Sequence, residues 1–65
     1  MASKTGVSLA LVGEDGNAFS ILGRASKALK RAGLYDEHWD NYHTEATNGD
    51  YHHLLRTTMD YFDCE

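Results

Sequence analysis

The stretch Asn48-Gly49-Asp50-Tyr51-His52-His53-Leu54-Leu55-Arg56-Thr57-Thr58-Met59-Asp60-Tyr61-Phe62 admits two folds, and the choice decides the class of the whole chain. Asn-Gly between apolar segments is a strong hairpin signal. A hairpin needs strict alternation after the turn. Tyr51, Leu54, Leu55, Thr58, Met59 and Phe62 recur at helical spacing instead. The segment therefore reads as a helix over about 51–61, with Asp50 as its N-cap and Asn48-Gly49 as the preceding turn. Asp63-Cys64-Glu65 follows as a tail.

Working upstream, Trp39, Tyr42 and Ala46 form an aromatic stripe for a second helix over roughly 37–47, with Asp36 as its cap and Tyr35 just before it. Gly33 is placed to end an earlier helix as its C′ residue, with Leu34 as the accompanying apolar contact. That first helix spans 18–32. Ala18, Ile21, Leu22, Ala25, Ala28, Leu29 and Ala32 fall on one broad face, and Ser20, Arg24, Lys27, Lys30 and Arg31 on the other. Asn17 suits its N-cap, and Gly13-Glu14-Asp15-Gly16 reads as a turn. Val7-Ser8-Leu9-Ala10-Leu11-Val12 is too short for a helix and reads as a strand. Met1–Gly6 reads as a loose arm.

The fold expected is α+β and mainly helical, one short N-terminal strand followed by three helices, in a single domain over 7–65. Trp39, Tyr42, Leu54, Leu55, Met59 and Phe62 are expected to hold the helices together. A lone strand leaves its backbone groups unpaired, so it needs a neighbour. The tail around Tyr61–Cys64 is one candidate, as a second short strand. A second copy of Val7–Val12 across a homodimer axis is the other.

At 65 residues the chain lies near the lower limit for a single apolar core. Cys64 is the sole cysteine, so no disulfide can form within the chain, and an oxidising compartment is not implied. No signal-peptide pattern opens the sequence and no apolar run approaches membrane-spanning length, so a cytoplasmic location is expected. Charge is divided unevenly. Residues 1–34 carry five lysines and arginines against two acids, a balance of +3, whereas residues 35–65 carry one arginine against eight acids, a balance of −7. Such a division bears on partners rather than on fold.

Val12-Gly13-Glu14-Asp15-Gly16-Asn17-Ala18-Phe19, Gly23-Arg24, Ala32-Gly33 and Glu45-Ala46-Thr47-Asn48-Gly49-Asp50-Tyr51, with Leu54-Leu55 beyond, together span most of the chain. This pattern resembles small uncharacterised proteins of bacteria and their phages. The resemblance implies a bacterial or mobile-element origin and brings no activity with it.

Few chemical constellations survive inspection. The strand–Gly-Glu-Asp-Gly–helix junction lacks the Gly-Lys-Ser/Thr ending of a phosphate loop, and Glu14 and Asp15 would repel phosphate. His38 and His43 are five apart and His52 and His53 adjacent, spacings that turn each pair apart on a helix, so no metal site is expected. Cys64 sits beside the end of the sequence with nothing to hold it near a base, and the serines are scattered. The expectation is a binder, with neither catalysis nor a cofactor.

Two charged surfaces remain. Arg24, Lys27 and Arg31, with Lys30 at their edge, make a basic stripe that could meet nucleic-acid phosphates. The acidic half offers Asp36, Glu37, Asp40, Glu45, Asp60 and Asp63. Asp36 and Asp40 are like charges one helical turn apart, and Asp60, Asp63 and Glu65 crowd a helix C-terminus, positions that stability alone disfavours. Carboxylates one turn apart are about 6 Å apart, comparable with neighbouring backbone phosphates. An acidic helical face can thus occupy a DNA-binding groove. Small acidic phage inhibitors of host nucleic-acid enzymes, anti-CRISPR and anti-restriction proteins among them, use this logic, and the likeness is one of type. The leading expectation is a protein-interaction module that engages a basic surface, in its sharpest form a DNA mimic. The alternatives are a nucleic-acid-binding accessory protein that uses the basic stripe, or a structural protein.

Overall fold

A computed structural model describes residues 3–10 and 18–64. The order is β1 (Val7–Leu9), α1 (Ala18–Ala32), α2 (Tyr35–Ala46), α3 (Tyr51–Tyr61) and β2 (Phe62–Cys64). The α+β, mainly helical architecture read from the sequence is the one observed. The expected turn at 13–16, the Asn17 cap and the last two residues of the expected strand lie outside the described residues. Within them, strand geometry ends at Leu9 rather than continuing to Ala10.

The partner of the first strand is the tail. β1 and β2 pair in parallel, Val7 opposite Phe62, Ser8 opposite Asp63 and Leu9 opposite Cys64. The pairing extends backwards. Lys4 N–H donates to Asp60 O at 2.9 Å and Thr5 N–H to Tyr61 O at 3.1 Å. Ser3 N–H donates to an Asp63 carboxylate oxygen at 3.2 Å. Residues 3–6, expected as a loose arm, are thus tied to the end of α3.

Each helix boundary has a local cause. α1 stops at Gly33, whose φ of 75° suits glycine. Leu34 N–H reaches back to Leu29 O at 2.9 Å and Gly33 N–H to Lys30 O at 3.2 Å, the paired bonds of a Schellman end. That ending corrects one expectation. Asp36 does not cap α2, because α2 already begins at Tyr35, with Leu34 in the cap position and no side-chain cap bond. His38 N–H bonds Leu34 O at 3.1 Å and closes the first turn, which leaves Asp36 inside the helix. Asp50 does cap α3, its carboxylate accepting from His53 N–H at 2.9 Å.

The helices enclose Ile21, Ala25, Leu29, Tyr42, Ala46, Leu54, Tyr61 and Phe62, with Leu9 of β1 closing one side. Trp39 and Leu55 pack at the margin. Met59 is a correction: it is 54 % exposed and leaves the core. The buried face of α3 is Leu54, Thr57, Thr58 and Tyr61, rotated from the stripe read in the sequence. Two threonines, Thr57 and Thr58, lie on that face, and the Thr58 hydroxyl is satisfied locally. Thr58 Oγ1 donates to Leu54 O at 2.8 Å and accepts from the Tyr42 hydroxyl at 2.7 Å. Tyr42 also meets Tyr61 and Phe62 edge to face, at centroid distances of 5.4 and 5.3 Å.

Candidate interaction surfaces

α2 and α3 pack as neighbours and leave an open groove of about 670 Å³ between them. Asp40 and Glu45 of α2 and Asp60 of α3 line it. Asp36 and Glu37 lie in the first turn of α2, exposed. Asp63 lies apart, on β2 beside Ser3. The fold therefore gathers three of the six acids expected to act together, keeps two on the same helix and sets one elsewhere.

The groove is not uniformly acidic. Lys4, Arg56 and His53 also line it. Lys4 was hidden from sequence reading by its place in a presumed arm; its Nζ sits 4.8 Å from the centre of the Tyr61 ring. Arg56 is one turn before Asp60 on α3, a spacing that is visible in the sequence. His53 Nε2 faces two acceptors, Glu45 O at 2.9 Å and a Glu45 carboxylate oxygen at 3.0 Å, so this nitrogen carries the hydrogen. The His53–Glu45 contact thereby fastens the start of α3 to the end of α2.

Other histidines have local roles. His38 Nε2 is 3.3 Å from the Glu37 carboxylate, and its ring meets Tyr61 edge-on. His43 tilts against Trp39, which stacks in turn on Tyr35 at 5.4 Å. Beyond the two histidine contacts, no ion pair joins the acids of the C-terminal half to a cation among the described residues. Among the described residues, Asp36, Asp40 and Asp60 stand exposed with no ion-pair partner.

The basic stripe of α1 is divided. Arg24 Nη1 donates to Ala10 O at 3.2 Å, and Lys30 Nζ lies 4.9 Å over the Tyr35 ring. Lys27 and Arg31 line a shallow hollow between α1 and β1, which Arg24 also borders.

Cys64 is partly buried at the end of β2, its thiol 3.8 Å from Thr58 O. Burial pushes its pKa up, and the Asp63 charge adds to this, so the thiol form is favoured. No helix among the described residues is long and apolar enough to cross a membrane. Comparison of the chain with protein families, with curated proteins and with solved structures found no match to any of the three.

Proposed function

We propose that this protein is an interaction module whose acidic half docks on a basic surface of a partner protein. In its sharpest form it mimics DNA, as a phage or mobile-element inhibitor does when it blocks a nucleic-acid-binding defence protein. One observation carries the reading: Asp36, Asp40 and Asp60 are exposed and, among the described residues, without an ion-pair partner, on helices whose packing does not use their side chains. Asp36 and Asp40 repel each other across one turn, a small cost that solubility alone does not require. Such charges steer a basic partner from a distance and make its capture sensitive to salt. The nucleic-acid reading is supported less well, since Arg24 and Lys30 are engaged within the fold.

The test is affinity capture from a nuclease-treated bacterial lysate, washed at low and then high salt. A nucleic-acid-binding protein released by salt is the expected outcome. The Asp36→Lys/Asp40→Lys/Asp60→Lys variant should lose it while keeping its helix content by circular dichroism. Capture that survives the triple reversal, or none at all, rejects the reading.

A further inference from the structure

The two strands form a ribbon with one edge of β1 taken by β2. We propose that the other edge, together with the adjoining face of α1, receives an extended acidic segment of a partner protein as a third strand.

The direction of the backbone groups comes first. Val7 N–H donates to Thr5 Oγ1 at 3.1 Å, and that hydroxyl in turn donates to Tyr61 O. Val7 therefore directs its amide towards the β2 side. Successive residues of a strand alternate the edge to which they turn N–H and C=O. Ser8 thus presents both groups to the outer edge, where no strand lies among the described residues. An edge of this kind is a template for another strand.

The surface beside that edge has room for a strand. Two adjoining hollows of about 310 and 200 Å³ run along it, and Ser8, Ala28 and Arg31 line both. Val7 lies beside Arg31 and Ala32 in one, and Ala10 beside Arg24 and Lys27 in the other, so β1 runs antiparallel to α1 here. The small side chains of Ala28 and Ala32 keep the floor low.

Charge then selects the occupant. Lys27 and Arg31 stand along the groove with no acid at ion-pair distance among the described residues. Four residues of helix set them about 6 Å apart along the axis. Alternate side chains on one face of a strand are about 6.6 Å apart. Carboxylates at every second position of an extended segment therefore match both cations while its backbone pairs with Ser8. Two cations are few for a phosphate backbone, whose binding draws on many such contacts. A second copy docked through its own β1 would set Lys27 and Arg31 against their equivalents, so the charges oppose that dimer.

The probe is a fluorescein-labelled octapeptide of alternating threonine and glutamate, with a threonine–lysine octapeptide as control, titrated into the full chain by fluorescence anisotropy. The acidic peptide should bind and weaken with salt, and the lysine peptide should not. Lys27→Glu/Arg31→Glu should weaken binding by at least about tenfold, or about 1.4 kcal/mol, with helix content unchanged. Asp36→Lys/Asp40→Lys/Asp60→Lys should leave it intact, which separates this groove from the acidic surface. The Ser8 amide should gain protection from hydrogen exchange when the peptide is present. No binding, binding indifferent to the Lys27/Arg31 reversal, or an unprotected Ser8 amide overturns the proposal. So does Ser8 protection that rises with protein concentration alone, which assigns the edge to a second copy. Tighter binding of a single-stranded oligonucleotide through the same two cations assigns it to nucleic acid and also overturns the proposal.

Discussion

Thr58 holds the polar centre of the core. It is fully buried, and its single hydrogen is committed to Leu54 O, so the Tyr42 hydroxyl must be the donor between them. The two partners are therefore not equivalent. Tyr42→Phe leaves Thr58 satisfied and should cost about 0.5–1.5 kcal/mol. Thr58→Val strands a buried hydroxyl and should cost more, about 1–3 kcal/mol. Urea denaturation of both single variants and the double should show the double more stable than Thr58→Val alone. Ionisation of the same hydroxyl sets an alkaline limit. Burial raises the Tyr42 pKa, the bond to Thr58 offsets part of the rise, and the nearby Cys64 adds to it. A raised pKa means that the folded state holds the proton more tightly, so the contribution is complete below the ordinary phenol value of about 10 and is lost as pH climbs past it. Cys64 is shifted the same way, and its share of the loss begins from the ordinary thiol value of about 8.5. Thermal melts should therefore be flat near neutrality and fall above about pH 9, and Tyr42→Phe should flatten the later part of the decline. An unchanged alkaline profile in that variant would contradict the assignment.

At the scale of elements, the two glycine turns serve different physical needs. Gly33 needs its backbone freedom, and Gly33→Ala should destabilise by about 1 kcal/mol in chemical denaturation. Gly49 needs space. A β-carbon there would meet the His53 ring and its Cβ at 2.8–3.0 Å, with the ring held in place by Glu45. Gly49→Ala should therefore lower the melting temperature, and His53→Ala in the same chain should recover part of the loss. This contact explains why the Asn-Gly pair misleads as a hairpin signal: it clears a path for the first turn of α3. The caps at Gly33 and Asp50 were legible because each depends on a handful of neighbouring residues. Asp36 was misread because an aspartate's role depends on where the preceding helix stops. Only Gly33 and Leu34 separate α1 from α2, too little chain to place the cap at Asp36.

For the molecule as a whole, the legible part was the helical frame and its apolar faces. The partner of β1 was left between the tail and a second copy, because three-residue strands carry no register signal of their own. The grouping of Asp40, Glu45 and Asp60 was also beyond sequence reading, since it depends on how α2 rotates against α3. Met59 fell on a helical stripe, yet the burial of Thr57 and Tyr61 turns the helix so that it faces outward. Phe62, by contrast, is only 1 % exposed and joins the ribbon to the core. Phe62→Ala should cost about 3–5 kcal/mol, a large share of the stability of so small a domain, and urea titration followed by circular dichroism reads it directly.

The parallel ribbon also has a consequence in time. Val7 and Phe62 are partners across 55 intervening steps of the chain, whereas α2 and α3 meet across a short turn. Closing so long a loop is entropically costly before any of its contacts form, and local helical contacts carry no such delay. The helices should therefore assemble early, and the two strands should join after the rate-limiting barrier. In stopped-flow experiments, Leu9→Ala should speed unfolding with little change in the folding rate, a φ-value near zero. Ala25→Gly, inside the helical core, should slow folding instead. On this view the ribbon works as a latch: strengthening it would lengthen the lifetime of the native state without altering the speed at which that state is reached.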